Sequence, residues 1–254
     1  MEVFRELFFW SGIMKRLLDI FFSLLGLLVL SPVLLIVMLL IWRQDHHSPF
    51  YIAPRVGKDE KLFNMVKLRS MILGADKFSV DTTTSTDRRI TPVGHFVRRY
   101  KLDEFTQLWN VLKGDMSLVG PRPNVKRETD LYSAKEKKLL TVRPGITDLS
   151  SIVFSDENEI LKDSSDPDID YNQLIRPWKS RLGIIYVERR SFFLDCHLIW
   201  LTSLAMINQE WALAGVQRIL IQLGAPEDVT KTARRQTPLT PACPPGMNCI
   251  VSQR

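Results

Sequence analysis

The chain has 254 residues and a formal net charge of +6, from 34 Lys and Arg against 28 Asp and Glu. This length holds one ordinary domain with accessory segments. The positive charge points to an anionic partner, which leaves open a nucleic acid, a phosphorylated metabolite or an anionic lipid surface. The three cysteines have no C-x-x-C spacing, so they imply no disulfide framework, as is usual in a reducing compartment.

The first predicted element is an uncharged apolar run over residues 20–42. At about 23 residues it is long enough to cross a hydrocarbon core of about 30 Å as a helix. Ser31-Pro32 lies at its midpoint. Proline removes a backbone hydrogen bond and should break and bend the helix there, and the Ser31 hydroxyl can satisfy a freed carbonyl.

Positive charge brackets this run on both sides, with Lys15 and Arg16 before it and Arg43 after it. Both ends are therefore cytoplasm-preferring, whereas a spanning helix usually shows an asymmetry. We predict a re-entrant helix-break-helix hairpin over residues 15–43 that enters and leaves on one face, with a single transmembrane helix as the alternative. Residues 1–14 are amphiphilic and are expected at the membrane interface.

A catalytic domain is predicted over residues 44–224. Residues 50–57 and 61–71 indicate a β-hairpin, in which period two places Lys67 and Arg69 on one face. These cations either lie on a solvated strand face or point at phosphate oxygens. Residues 76–89 are polar and lack periodicity, so a mobile loop is expected.

The stretch from residue 98 to 123 holds two adjacent carboxylates, Asp103 and Glu104, in the first turn of a predicted amphipathic helix that ends at Gly114. The apolar face of this helix comprises Leu102, Phe105, Leu108, Trp109 and Leu112. Cations flank the pair on both sides. Such carboxylates either complement the helix dipole or act as a nucleophile toward phosphorus or as ligands for a hard metal.

Two arginines sit on rigid turns: Arg122 between two prolines, and Arg143 ahead of Pro-Gly. Each turn alone is an ordinary surface turn. Asp166 and Asp168 match the loose D-x-D pattern of nucleotide-sugar glycosyltransferases. No mononucleotide-binding βαβ unit precedes them, so a solvated acidic loop is the expected interpretation.

Two apolar stretches follow, over residues 182–187 and 192–207, and both are too short to span a membrane. They fit amphipathic helices lying on the membrane or buried core helices. Residues 225–254 are rich in Pro, Thr and Arg and are predicted to be a disordered tail.

Several motifs in a fixed order resemble the bacterial sugar transferase family of monotopic phosphoglycosyl transferases in its minimal form. The resemblance is dense over residues 15–150 and thins toward residue 210. A single such motif is uninformative, whereas the ordered set is highly specific. The motifs are Lys15-Arg16 with Asp19, Ser31-Pro32, Arg55-Val56-Gly57, Lys67-Leu68-Arg69-Ser70-Met71, Leu102-Asp103-Glu104, residues 110–117, Val119-Gly120-Pro121-Arg122-Pro123, and Arg143-Pro144-Gly145-Ile146-Thr147.

The resemblance implies an α/β fold: a re-entrant membrane helix plus a compact membrane-associated catalytic domain at the cytoplasmic face of the bacterial inner membrane, with interfacial amphipathic helices. It implies transfer of a sugar 1-phosphate from a UDP-sugar to undecaprenyl phosphate, with Mg²⁺ and release of UMP. Carried onto this sequence, Asp103 becomes the nucleophile that forms a phosphosugar intermediate, and Glu104 its partner in metal or proton handling. Lys67, Arg69, Arg122 and Arg143 become candidate phosphate contacts.

The sequence departs from the family pattern after Thr147, where residues 148–154 replace the usual Gly-Trp-Ala-Gln type of stretch. The identity of the donor sugar therefore stays open. The oligomeric state is open as well, because no sequence feature indicates it. Two rival functions remain. One is a UDP-releasing glycosyltransferase using Asp166 and Asp168. The other is a basic protein that binds anionic lipid or nucleic acid. No nucleic-acid-binding motif is present, so a nucleic acid is not expected as a partner.

Overall fold

The protein is described from a computed structural model over residues 2–75 and 87–251, with side chains from residue 12 onward. Most of the loop predicted over residues 76–89 lies outside these ranges. The described helices are α1 (Glu2–Asp45), α2 (Pro92–Arg99), α3 (Leu102–Phe105), α4 (Leu108–Lys113), α5 (Lys126–Asp130), α6 (Leu149–Val153), α7 (Glu157–Ile160), α8 (Pro167–Asp170), α9 (Arg176–Arg189), α10 (Phe192–Ala205), α11 (Gln209–Gln222) and α12 (Glu227–Arg234). The strands are β1 (Phe50–Val56), β2 (Leu62–Leu68), β3 (Ser117–Val119) and β4 (Gly145–Thr147). The mixed α/β class predicted from the sequence is confirmed.

The strands form two small sheets. β1 and β2 pair antiparallel from Phe50 opposite Leu68 to Val56 opposite Leu62, which confirms the predicted hairpin. β3 and β4 pair in parallel, and their ends approach so closely that a Cβ on Gly145 would lie 2.1 Å from the backbone nitrogen of Gly120. Only glycine fits at this contact, which holds the two predicted arginine turns side by side.

One helix among the described residues is long and apolar enough to cross a membrane, Gly12–Asp45 within α1. It runs without interruption through Ser31 and Pro32. The Pro32 nitrogen cannot donate to the carbonyl of Leu28, its normal helical partner, and the Ser31 hydroxyl donates to that same carbonyl at 2.8 Å. The predicted use of Ser31 is confirmed. The predicted break into two helices is not, because local repair of one missing bond lets the helix continue.

Polar side chains just before the apolar run of α1 anchor this helix to the catalytic domain. Lys15 Nζ lies 2.6 Å from Asp195 Oδ2 on α10 and donates to the Val119 carbonyl at 2.9 Å. Asp19 Oδ1 accepts from the Leu118 nitrogen at 2.9 Å, and Arg16 donates to the last carbonyls of α4. These contacts give the charged residues before the apolar run a structural role.

The far half of α1 packs on the same domain. Leu34, Val37 and Ile41 are buried together with a second set of apolar side chains, which comprises Leu68, Val97 and Leu102. The other face of α1 is exposed and apolar from Leu17 to Trp42. At its end, Asp45 pairs with Arg69 through both guanidinium nitrogens. One domain thus binds both ends of the part of α1 from Lys15 to Asp45.

The main core lies among α4, α6 and the later helices. In α9 the apolar stretch is buried (Leu182, Tyr186 and Val187), so the alternative of a core helix is the correct one there. One face of α10 is buried and the other is exposed: Leu198 is fully buried, whereas Phe193 and Trp200 are 80% and 65% exposed. Its buried face and its exposed face are thus both apolar, and its position at a membrane interface stays a prediction.

The C-terminal segment differs from the predicted disordered tail. Residues Glu227–Arg234 form α12, whose Val229 and Ala233 are buried against the main core. Their spacing of four residues gives α12 an apolar face, which the Pro- and Thr-rich composition around it obscured. The prediction of disorder is wrong for this helix.

The predicted helix with the carboxylate pair is in fact two short helices, α3 and α4, separated by Thr106 and Gln107. Gly114 ends α4 in a left-handed conformation (φ 91°), which confirms the predicted end. Trp109 was expected on the apolar face but is exposed, because α4 is rotated to present Leu108 and Val111 to the core.

Candidate active site

A cleft of about 350 Å³ lies between β2, α3, the residues after β3 and the segment from α6 to α9. Its lining is dominated by charged side chains. The cations are Arg55, Lys67, Arg98, Lys101, Arg122 and Lys179. The acids are Asp103, Glu104, Glu128 and Glu157. The predicted carboxylate pair therefore faces a strongly cationic cleft.

A side chain of α4 and that of Thr106, between α3 and α4, hold the carboxylate pair against β2. The edge of β2 that faces away from β1 bonds to side chains rather than to a third strand. Asn110 Oδ1 accepts from the Val66 nitrogen at 2.9 Å, and Asn110 Nδ2 donates to the Asn64 carbonyl at 2.8 Å. Thr106 Oγ1 donates to the Val66 carbonyl at 3.1 Å. This replacement of a strand by side chains fixes α3 beside Lys67.

The result is a close pairing of Lys67 with Asp103. The ammonium nitrogen lies 3.7 Å from Asp103 Oδ2, and the two side chains are only 19% and 16% exposed. Burial lowers the pKa of Lys67, and repulsion from Arg122 adds to this against the attraction of the two carboxylates. Asp103 therefore lies beside a cation and lines a cleft of charged groups, so it is not buried among apolar side chains.

Glu104 is paired with Arg122. Arg122 Nη1 donates to Glu104 Oε1 at 3.0 Å, and the two flanking prolines are buried. Burial would raise the pKa of Glu104, but the combined attraction of Arg122, Lys67 and Lys101 holds it below its ordinary value. Glu104 is therefore an ionised carboxylate at neutral pH.

The turn that introduces α3 is conformationally unusual. Lys101 adopts a left-handed conformation (φ 52°), which non-glycine residues rarely adopt. Arg98, at the end of α2, donates from Nε to Ser70 Oγ at 3.0 Å. Both cations line the cleft, so the tight turn between α2 and α3 brings two further positive charges toward Asp103.

The structure separates the four predicted phosphate contacts. Lys67 and Arg122 line the cleft, but Arg69 lies beyond the end of β2 and no longer shares a face with Lys67. Its guanidinium is held by Asp45 and by the Ser48 carbonyl at 2.9 Å. The prediction that Arg69 shares a face with Lys67 was wrong. The strand ends at Leu68, one residue before Arg69, and Asp45 binds the Arg69 guanidinium outside the cleft. Arg143 is exposed and lies outside the cleft lining, so its contact with a lipid phosphate stays a prediction.

Several cleft residues had no role in the sequence analysis. Arg55 lay within a quoted motif, whereas Lys179 belonged to no motif and stood only among the cations near the apolar stretch 182–187. Lys179 pairs with Glu157 and lies 5.4 Å from the centre of the Tyr171 ring. The uncharged part of the lining falls into two groups: Met65, Gln107 and residues 123–125 form one, and Ser151, Phe154, Ser155, Asn158 and Tyr171 form the other. The second group lies after Thr147, where the sequence leaves the family pattern, so no motif could identify it.

The cleft offers only part of a metal site. Among the described residues no three His, Cys, Asp or Glu side chains are grouped to hold an ion. Mg²⁺ commonly takes one or two protein carboxylates and completes its shell with water and substrate phosphates. Asp103 and Glu104 fit that requirement when a diphosphate is present.

The D-x-D pair does not reach this cleft. Asp166 caps α8 by accepting from the Ile169 nitrogen at 3.3 Å, and neither Asp166 nor Asp168 belongs to the lining. Asp170 accepts from Ser164 Oγ at 2.5 Å. These contacts give Asp166 and Asp170 local structural roles, as expected for an acidic loop.

Comparison with known proteins points to one family. The sequence profile of the family described as "Bacterial sugar transferase" matches residues 10–209. The chain is 31% identical over 217 residues to the undecaprenyl-phosphate galactose phosphotransferase of Salmonella typhimurium, covering 80% of this chain and 42% of the relative. It is 35% identical over 205 residues to the undecaprenyl-phosphate glucose phosphotransferase of Komagataeibacter xylinus, covering 78% of this chain and 36% of the relative. It is also 35% identical over 154 residues to the UDP-galactose-lipid carrier transferase of Erwinia amylovora, covering 55% of this chain and 32% of the relative. The chain spans less than half the length of each of these three relatives.

Proposed function

The chain belongs to the bacterial sugar transferase family, and we propose that it is a membrane phosphoglycosyl transferase. It moves a sugar 1-phosphate from a UDP-sugar to undecaprenyl phosphate and releases UMP, the first step in assembling a polysaccharide or other glycoconjugate. The observation that carries the proposal is the cleft in which Asp103 lies 3.7 Å from Lys67, beside the Glu104–Arg122 pair. The names of the relatives support the acceptor and the type of donor.

The reaction proceeds in two displacements at one phosphorus atom. A carboxylate oxygen of Asp103 forms a bond to the β-phosphorus of the UDP-sugar. The bond from that phosphorus to the oxygen bridging the two phosphates breaks, and UMP leaves with the bonding electrons. An oxygen of undecaprenyl phosphate then attacks the phosphorus, and the Asp103 carboxylate leaves unchanged.

The cations of the cleft stabilise the charge that develops on the transferred and leaving phosphates. Lys67 lies beside Asp103 and Arg122 beside Glu104, so each carboxylate of the pair has a cation next to it, and because these cations are held in place they need little reorganisation. Mg²⁺ held by Asp103 and Glu104 together with the diphosphate would neutralise further charge. The Glu104–Arg122 contact keeps both side chains oriented before substrate arrives.

The packing of α1 supports a site at the membrane surface. Leu102, next to Asp103, is buried against Leu34, Val37 and Ile41 of α1. The opposite face of α1 is exposed and apolar, as a face in contact with lipid would be. A lipid acceptor that stays in the bilayer and a nucleotide sugar that stays in water can meet in such a cleft.

The same packing supports a monotopic arrangement. From Lys15 to Asp45 a straight helix measures about 45 Å, more than the bilayer core of about 30 Å. One domain nevertheless binds both ends of it, through Lys15–Asp195 and Asp45–Arg69. A perpendicular span would draw this polar domain through the bilayer. We infer that α1 enters from the cytoplasmic face and remains associated with it, with α10 adding Phe193 and Trp200 at the interface.

Release of UMP from UDP-sugars tests the proposal. The purified chain in detergent receives UDP-galactose, UDP-glucose or UDP-N-acetylgalactosamine with undecaprenyl phosphate and Mg²⁺. We expect UMP from at least one donor and none from Asp103→Asn. Asp130→Asn, a carboxylate paired with Lys126 on the surface, is the matched control. UDP instead of UMP, lost on Asp166→Asn, would support the rival glycosyltransferase.

A further inference from the structure

The segment after α11 lies beyond the family match at residues 10–209, yet it is bound to the same domain. α12 is anchored through Val229 and Ala233 in the main core. Past α12 the chain makes further contacts: the Ala242 nitrogen donates to the Gln173 carbonyl at 3.0 Å, and Arg181 donates to the Cys243 carbonyl at 2.9 Å. This fixed attachment makes the end of α12 a rigid support.

Arg235, the residue that ends α12, reaches from this support to the turn between α6 and α7. Its two terminal nitrogens lie 3.3 Å from the two carboxylate oxygens of Asp156. One of them also donates to the Val153 carbonyl at 3.3 Å. The guanidinium lies over the Phe154 ring, 5.5 Å from its centre. One side chain therefore binds the turn through a carboxylate, a carbonyl and an aromatic face.

This turn is a wall of the active-site cleft. Phe154 and Ser155 lie between the residues that Arg235 holds, Glu157 and Asn158 follow them, and all four line the cleft. Besides the Glu157 carboxylate, which pairs with Lys179, the wall offers hydroxyl, amide and aromatic groups. Such groups recognise the uncharged portion of a donor, its sugar hydroxyls or its base.

The backbone at Arg235 is a second sign that its side chain matters. It has φ 55°, the left-handed conformation that glycine usually adopts at the end of a helix. A glycine here would fit the backbone better. The side-chain contacts with the wall explain why an arginine occupies the position, and Arg235→Gly removes those contacts while relaxing the backbone.

We propose that Arg235 is a positioning residue for donor binding, which holds residues 153–156 so that the wall formed by Phe154, Ser155, Glu157 and Asn158 fits the uncharged part of the UDP-sugar. The proposal rests on the proposed function for its substrate. It assigns to a segment outside the family match an influence on which donor is accepted. Arg235 itself does not line the cleft, so it acts through the wall.

The test compares full-length wild type, Arg235→Gly and Arg234→Ala. Arg234 is the matched control, because it is the neighbouring arginine and pairs with Glu210 instead of the wall. Hydrogen exchange of residues 150–160 is measured without substrate, and KM is measured for the UDP-sugar and for undecaprenyl phosphate. For Arg235→Gly we expect faster exchange in this segment and a donor KM raised about tenfold, as for a misplaced binding wall. The acceptor KM and kcat should stay within about twofold of wild type, and the melting temperature should not fall.

Asp156→Asn should raise the donor KM in the same direction, and combining it with Arg235→Gly should add little, since Arg235→Gly already removes the contact that Asp156 makes. Unchanged exchange in Arg235→Gly would overturn the proposal. So would faster exchange with an unchanged donor KM, or an equal effect in Arg234→Ala. Failure of wild type to release UMP from any donor would contradict the proposed function instead, and the exchange comparison would still decide whether Arg235 holds the wall.

Discussion

Replacing Lys67 and Arg69 separately by methionine distinguishes a cation that acts in the cleft from one that holds the fold together outside it. The two residues are two positions apart in the sequence, but only Lys67 faces Asp103. A phosphate charge as near to Lys67 as Asp103 is, 3.7 Å, would be attracted by about 4.5 kcal/mol at an effective dielectric constant of about 20. Partial exposure screens some of this, which leaves about 3 kcal/mol as the share of phosphate stabilisation that Lys67 supplies.

We therefore expect Lys67→Met to lower kcat for UMP release by about 100-fold, since 1.36 kcal/mol is tenfold in rate. Arg69→Met should keep kcat within about threefold of wild type, because its guanidinium binds Asp45 and Ser48 outside the cleft. It should instead lower the melting temperature, which Lys67→Met should leave nearly unchanged. The assays are steady-state UMP release and thermal unfolding in detergent. Equal kinetic losses in both variants would refute the separation of the two cations.

Two further predictions concern pH and topology. The rate should fall at alkaline pH as Lys67 loses its proton, and because the pKa of Lys67 lies below its ordinary 10.5, the fall should begin earlier than for an ordinary lysine. Lys67→Arg should move this limb of the pH–rate profile upward, and an unmoved limb would contradict the assignment. For topology, Met14→Cys and Arg43→Cys, each in a chain whose three native cysteines are serine, should react with an impermeant maleimide from the same side of the membrane. Labelling from opposite sides would show a true span.

Local chemistry in the sequence was sufficient for the elements next to the carboxylate pair. Gly114 ends its helix because glycine accepts the left-handed conformation, and the hairpin follows from alternation on both sides of a glycine turn. The position of Asp103 and Glu104 in the first turn of a helix was likewise predicted correctly. These features depend on residues that are close in the chain.

Contacts between distant segments could not be predicted in the same way. Arg69 turns away from the cleft because Asp45, 24 residues earlier, binds it. Lys179 joins the cleft only because α9 packs beside the segment that carries Glu157. α1 continues through Pro32 because the Ser31 hydroxyl donates to the Leu28 carbonyl and replaces the hydrogen bond that Pro32 cannot make. The sequence alone did not decide whether this one bond would be enough to keep the helix continuous.

The central claim is that Asp103 carries the sugar phosphate between donor and acceptor. The most direct measurement incubates wild type with a UDP-sugar and Mg²⁺ but without undecaprenyl phosphate, and then determines the mass of the peptide containing Asp103. We predict a peptide heavier by one sugar phosphate, formed with one UMP per chain and discharged when undecaprenyl phosphate is added, and no adduct in Asp103→Asn. UMP release that requires the lipid and leaves this peptide unmodified at every time point would contradict the account.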